Sequence, residues 1–294
     1  MGRRPRDLVF SGVFASCVTS PRRGTQEIDF CAVLDLVDFV SDAGVSGSVL
    51  LGPVGEFVHY TVEDRERLVS LAGKRSRKPL LVNVSHSTFA GAVGLANSAI
   101  SSGADALLLL PPLFYSYRQP EIEAFFREFA AEVGDAVPLL IDRNPWFTAD
   151  IELPTIAHLL ESGRFAGVCD SSGDFPWFEQ LASFCQNGPY ILLCGHDSIA
   201  SSALAVGATA LLSDAACAVP ELLVNLSPRT NPMLQEFLVA VEQFPYPYGI
   251  QLAVEARGQT KVNPAIPKSD ETKLAARDFQ AWFQDFRKRL QQSL

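Results

Sequence analysis

Residues 103–115, GADALLLLPPLFY, contain the unit that repeats along this chain: a glycine-led break, a short apolar run and a proline-marked loop. The run at 105–110 is the length of one strand. It lacks the alternation of a strand with one wet face, so it reads as a strand buried on both faces, as in a parallel sheet. Gly103, just before it, suits the left-handed position that ends a helix. Gly44, Gly163 and Gly207 stand at the same place before other runs.

Working outward, apolar runs also occur at 8–18, 47–51, 79–84, 137–141, 165–168, 190–194 and 209–212. Amphipathic stretches at 30–43, 62–72, 88–101, 121–133 and 176–186 lie between them and predict helices. Eight strands, each followed by a helix, predict an α/β chain folded as a (β/α)8 TIM barrel, because right-handed crossovers of a parallel sheet close at eight. A doubly wound open sheet usually has fewer strands, and no GxGxxG follows the first run. Beyond residue 220 the strands stop. Helices are predicted at 233–243, 250–256 and 271–292, separated by the proline-rich linkers 244–247 and 263–267. The expected organisation is therefore a barrel over 8–226 and a C-terminal helical appendage over 227–294, packed on the barrel.

With 294 residues, 48% of them hydrophobic, the chain has material for a large core, and a formal net charge of -9 argues against nucleic acid. Binding phosphate needs clustered Lys and Arg to displace counterions. The start, MGRRPRD at 1–7, is basic but leads into no signal-type apolar segment, and no stretch reaches the roughly 20 apolar residues of a membrane span. The six cysteines form no CxxC pair, so reduced thiols in the cytoplasm are expected. The expected partner is a small molecule, with neither nucleic acid nor membrane.

In this fold the loops after the strands carry function. They include Gly52-Pro53-Val54-Gly55-Glu56 after run 2, Asn83 to His86 after run 3, Asp142-Arg143-Asn144-Pro145 after run 5 and Cys169-Asp170-Ser171-Ser172-Gly173-Asp174 after run 6. Runs 7 and 8 end in Gly195-His196-Asp197 and Ser213-Asp214.

The ordered motifs GVFASCVTSP, GVSGSVLLGPVGEF, TVEDRERLV, GADALLLLPPLFY, GVCDSSGD and GATALLSDAACAVP, from about Ser11 to Pro220, resemble the family of dihydrodipicolinate synthase and N-acetylneuraminate lyase. The resemblance implies a (β/α)8 barrel, usually a homodimer or homotetramer. It also implies carbon–carbon or carbon–oxygen lyase chemistry on pyruvate-like oxo acids, through a Schiff base on a strand 6 lysine. Against that pattern the lysine position holds Cys169, and a thiol forms no imine. No lysine lies anywhere between Pro79 and Gln259. The proton-shuttling tyrosine of Y-N-x-P is replaced by Asp142, and the threonine pair of G-T-T-G-E by Pro53 and Val54. Leu113-Phe114 replaces the tyrosine pair after strand 4, and Phe147 the arginine after the strand 5 proline. The glycines and prolines that shape the barrel remain, which is the pattern of a retained scaffold with a replaced site.

Asp142 and Cys169 are the candidate catalytic residues. An inward Asp142 needs a partner and can act as general acid or base, with Asn83 or Ser85 as the expected donor in a structural reading. Alternation sends Arg143 the other way. Cys169 is a candidate nucleophile if a cation lowers its pKa, and a small apolar filler otherwise. Pro53, Val54, Asn83, Phe114, Phe147, Gly195 and Leu212 are expected to line the ligand site. His59, His86 and His196 fall in top-side loops without HxH or HExxH spacing, so neither a metal nor any other cofactor is expected. Asp174 is placed to cap the helix after strand 6. Two functional readings follow: a lyase-type enzyme that binds an oxo-acid-like molecule and works without an imine, or a catalytically inert barrel that binds a metabolite or partner subunit.

Overall fold

A computed structural model describes residues 8–261 and 263–293, so the basic start at 1–7 lies outside the described residues. Eight parallel strands close into a barrel in sequence order: β1 (Gly12–Ser16), β2 (Gly47–Leu50), β3 (Leu80–Asn83), β4 (Ala106–Leu109), β5 (Leu139–Arg143), β6 (Gly167–Asp170), β7 (Ile191–Cys194) and β8 (Ala210–Ser213). Closure is made by β1 pairing with β8, Phe14 opposite Leu212. One set of alternate residues fills the barrel: Phe14, Val49, Leu81, Leu140, Cys169 and Leu193 among them. The other set, including Ala15, Leu50, Val82, Ile141, Val168 and Cys194, belongs to the larger cluster under the helices. Both faces being apolar is why the strands show no wet side in the sequence. Each fully buried aliphatic side chain contributes roughly 1.5–3 kcal/mol by leaving water.

The predicted first run at 8–18 is shorter in the structure. Gly12 takes φ 74°, which breaks the extended backbone, and Leu8 and Phe10 pack against the inner cluster below β1. The strands are also held close at Gly167, where an added Cβ would meet the Ile191 carbonyl oxygen and, at 2.7 Å, its carbon. Because backbone must yield there, Gly167→Ala is expected to cost about 1–3 kcal/mol in denaturant unfolding.

The helices are α1 (Phe30–Asp42), α2 (Val62–Arg75), α3 (Phe89–Ser101), α4 (Gln119–Val133), α5 (Leu153–Glu161), α6 (Phe175–Cys185), α7 (Ala200–Ala205) and α8 (Pro220–Val224). Side-chain caps start four of them, from Asp29, Thr61, Thr88 and Asp174, the last accepting from the Trp177 N–H at 3.1 Å. Gly103 (φ 90°) and Gly207 (φ 106°) end α3 and α7 in the left-handed region, as expected from sequence. The shortest helices, α7 and α8, have too few turns to display a 3.6-residue period, which is why the sequence did not delimit them.

Three more helices follow: α9 (Asn231–Val241), α10 (Tyr248–Ala256) and α11 (Asp270–Ser293). On α11 the stripe Ala276, Phe279, Phe283, Phe286 and Leu290 is buried, with Phe283 and Phe286 meeting Phe237 of α9. Helix α10 also touches the segment that follows β8, so residues 244–247, which join α9 to α10 and contain a cis Tyr246–Pro247 bond, come to the C-terminal end of the barrel. Among the described residues no helix is long and apolar enough to cross a membrane.

Candidate active site

β5 and β6 pair with Asp142 opposite Cys169, and both lie on the inward parity set by Leu140 and by Cys169 itself. Asp142 is 4% exposed. Its partner is Ser171, whose hydroxyl donates to Oδ1 at 3.4 Å. This corrects the expected Asn83 or Ser85 donor. Asn83 spends its amide internally, donating from Nδ2 to the Leu51 carbonyl at 2.7 Å and accepting the Ser85 hydroxyl at 2.6 Å. Burial, with the charges of Asp214 and Asp170 adding to it, pushes Asp142 up to about 7, against a smaller opposing effect of the Ser171 hydrogen bond. The Cys169 thiol lies 3.8 Å from the Ser171 hydroxyl and is raised well above its ordinary value, by burial first and by Asp142 second. It is a protonated thiol, not a thiolate.

Arg143 points the other way, as alternation predicts. Nη1 donates to Asp170 at 2.7 Å, Nε and Nη2 grip Asp150 at 2.6 and 2.7 Å, and the guanidinium lies 3.5 Å from the Trp177 ring centroid. Asp170 also accepts the Ser172 hydroxyl at 2.9 Å. This clamp ties β5, β6 and α6 together behind the mouth and keeps the Arg143 guanidinium out of it.

A second acid, directly after β8, acts on Asp142 through its charge. Asp214 accepts the Tyr246 hydroxyl at 2.8 Å and is also raised to about 7, by burial and then by Asp197, with the Tyr246 hydrogen bond opposing. Tyr246 brings a phenol into the mouth from outside the strands; the residue is half exposed, but its hydroxyl is turned onto Asp214, and desolvation there, followed by the Asp214 charge, suppresses its ionisation. Asp197, from the loop after β7, is raised by burial and accepts the Ala215 N–H at 2.8 Å. Ser16, on the inward parity of β1 and 1% exposed, lies beside Asp214, yet its hydroxyl has no partner at full hydrogen-bond geometry. Asp214 and Tyr246 are candidate site residues that the sequence reading did not single out. Asp214 was visible at the end of run 8, whereas Tyr246 sat in what read only as a linker.

The other expected site residues fall in three places. Pro53, Phe114 and Phe147 line a cavity of about 290 Å³ over the mouth, together with Phe57, Leu113 and Tyr246. The Tyr246 ring packs 5.6 Å from that of Phe147. Gly195 and Leu212 belong to the barrel interior: a Cβ on Gly195 would collide with the Ser171 hydroxyl, and Leu212 joins the inner cluster. Val54 does neither, being fully buried in the outer core. Among the described residues no three His, Cys, Asp or Glu side chains come together as a metal site.

Comparison with known proteins gives a consistent result. The sequence model of the dihydrodipicolinate synthetase family matches residues 9–276. An uncharacterised DapA-like lyase of Halobacterium salinarum is 30% identical over 247 residues, covering 79% of this chain and 80% of its own length. A 4-hydroxy-tetrahydrodipicolinate synthase of Methanothrix thermoacetophila is 24% identical over 92% of this chain and 96% of its own length. Among solved structures, dihydrodipicolinate synthase from Aquifex aeolicus superposes with a TM-score of 0.85 at 20% identity, covering 94% of this chain and 98% of that one. That likeness shows the (β/α)8 fold.

Proposed function

Because the chain belongs to the dihydrodipicolinate synthetase family of lyases, we propose that it is a lyase-type barrel that acts on a small organic molecule without forming an imine. One observation carries this reading: on β6 the position that resembles the family's imine lysine is Cys169, and the residue paired with it across the sheet is Asp142, a buried carboxyl raised to about 7. A group with that pKa exchanges a proton readily near neutrality, as a general acid or base must. Asp142 is assigned the proton, and Cys169, protonated and enclosed, is assigned a wall contact. The cavity over the mouth, with Phe114 and Phe147 on its sides, is the place for the ligand's body. The exposed aromatic rim, Phe114, Tyr115 and Trp146, supports a homo-oligomer.

Treatment with pyruvate and borohydride is expected to leave the protein mass unchanged, and a reduced adduct on a lysine would refute the reading. For a substrate found by screening, Asp142→Asn is expected to lower turnover by roughly 10²–10⁴-fold, with Cys169→Ser within about tenfold of the wild type; full activity of Asp142→Asn would sink it. The inert alternative, a metabolite-binding barrel, is favoured by one fact: Cys169 sits in the inner apolar cluster as a filler. It expects no turnover in any variant.

A further inference from the structure

Where the family resemblance puts a lysine and an arginine, this chain has Cys169 and Phe147, and carboxylates stand at the strand ends around them. Asp142 lies on the inward face of β5, Asp214 directly follows β8, and Asp197, in the loop after β7, accepts the N–H of Ala215 next to Asp214; the charges of Asp214 on Asp142 and of Asp197 on Asp214 raise both carboxyls. Among the described residues no Lys, Arg or His nitrogen forms an ion pair with any of the three. Arg143, the nearest guanidinium along the chain, is turned outward and committed to Asp150 and Asp170. His196, which lies beside Asp197, binds the Ser198 hydroxyl at 2.8 Å.

A carboxylate ligand of the oxo-acid kind would bring a further negative charge beside these acids, and the two cationic side chains near the cavity are held elsewhere: Arg65, over Phe57, donates to the Asn83 and Ser85 carbonyls, and His59 sits against Glu56. Like charges in a desolvated site are strongly unfavourable. A cation would do the reverse. The buried hydroxyl of Ser16, beside Asp214 and without a full hydrogen bond, has an acceptor lone pair free for a donor in the mouth. The Ser171 hydroxyl offers a second beside Asp142. Next to the acids, joined to them through Tyr246, the cavity is lined by Phe57, Phe114, Phe147 and Tyr246, with Glu56 and His59 also on its wall, a mainly aromatic enclosure that suits an apolar body and in which Glu56 adds a further negative group.

We infer that the mouth takes a small organic amine, its ammonium group held between Asp142 and Asp214 with the Ser16 hydroxyl as a further acceptor, and its apolar or aromatic body in the cavity beside Tyr246. This names the ligand class for the imine-free site proposed above and rests on that reading. The Tyr246 phenol, which now donates to Asp214, forms the boundary between the two halves of the ligand: its ring lines the cavity and its hydroxyl reaches the acid.

Isothermal titration of the full chain at pH 8 tests this with three probes of one shape: 2-phenylethylammonium, neutral 2-phenylethanol and anionic 3-phenylpropanoate. The amine is expected to bind at least tenfold more tightly than the alcohol, with the anion giving no heat. Asp142→Asn and Asp214→Asn are each expected to weaken the amine at least tenfold while leaving the alcohol within about twofold. Both variants are confirmed folded by their unfolding transitions. Equal binding of amine and alcohol, tighter binding of the anion, amine binding indifferent to both substitutions, or no binding by any probe would overturn the inference. The pyruvate and borohydride experiment stands apart: a lysine adduct defeats the imine-free reading, whereas failure of the amine without an adduct defeats only the ligand class.

Discussion

Arg143→Ala is expected to lower the unfolding free energy by about 3–5 kcal/mol, the loss typical when one member of a buried ion pair is removed and the other stays. Arg143 is 4% exposed and Asp170 is fully buried, so the 2.7 Å bond between them lies away from water. The contact to Asp150 matters less, because that carboxylate is half exposed and solvent competes for it. Without the guanidinium, Asp170 would keep only the Ser172 hydroxyl and, beyond its backbone, little to stabilise a charge. Burial already raises Asp170 even with Arg143 lowering it, so removing the arginine raises it further. The deficit is therefore expected to be largest at alkaline pH and to shrink on acidification, as Asp170 takes up a proton. Denaturant unfolding at pH 8 and pH 5 measures this, and Arg143→Ala with Asp170→Asn should recover part of the loss. A deficit below about 1 kcal/mol at both pH values would mean that water reaches Asp170 and the clamp is ornamental.

Asp142→Asn is expected to act in the opposite direction, stabilising the protein by on the order of 2–4 kcal/mol at pH 8. The folded-state pKa of about 7 is above the ordinary 3.8. A raised acid contributes stability that is fully present below about pH 4, declines as pH climbs toward 7 and is gone above it. Each unit of separation corresponds to about 1.4 kcal/mol. Asparagine keeps the shape and removes the titration, so the variant and the wild type should converge near pH 4 and diverge through neutrality. Asp214→Asn should follow the same course, Asp214 being raised to about 7 as well. Thermal unfolding across pH 4–8 checks both. A variant less stable than the wild type at pH 8 would show that the Asp142 carboxylate is well partnered in the folded state and not raised by burial. Carrying two such costly acids is what a site kept for ligand or chemistry does at the expense of stability.

The barrel was legible because its signal is repeated and local. The strands are apolar on both faces, several helix ends are marked by caps or glycines, and Gly103 and Gly207 stand in the left-handed backbone that they adopt. Parity along β5 was enough to send Asp142 inward and Arg143 outward, since a period of two leaves no other choice once Leu140 faces the interior. What failed was pairing at a distance. The donor for Asp142 is Ser171, the first residue after β6, while Asn83 is taken up by Leu51 after β2 and by Ser85 in its own loop, and neither preference has a period. The Tyr246–Asp214 bond spans 32 residues and joins a loop to a strand end, so nothing local announces it. Val54 was expected at the ligand site by position in a motif, but its side chain completes the outer core instead.

The segment between α9 and α10 puts Tyr246 on an acid of the last strand, and so the chemistry of the mouth is not encoded within the strands and their loops alone. During synthesis the barrel strands emerge first, yet the pocket acquires its phenol only after residue 246 has left the ribosome. Over evolutionary time the same arrangement allows specificity to drift through exchange or mutation of a helical tail, with every strand left untouched.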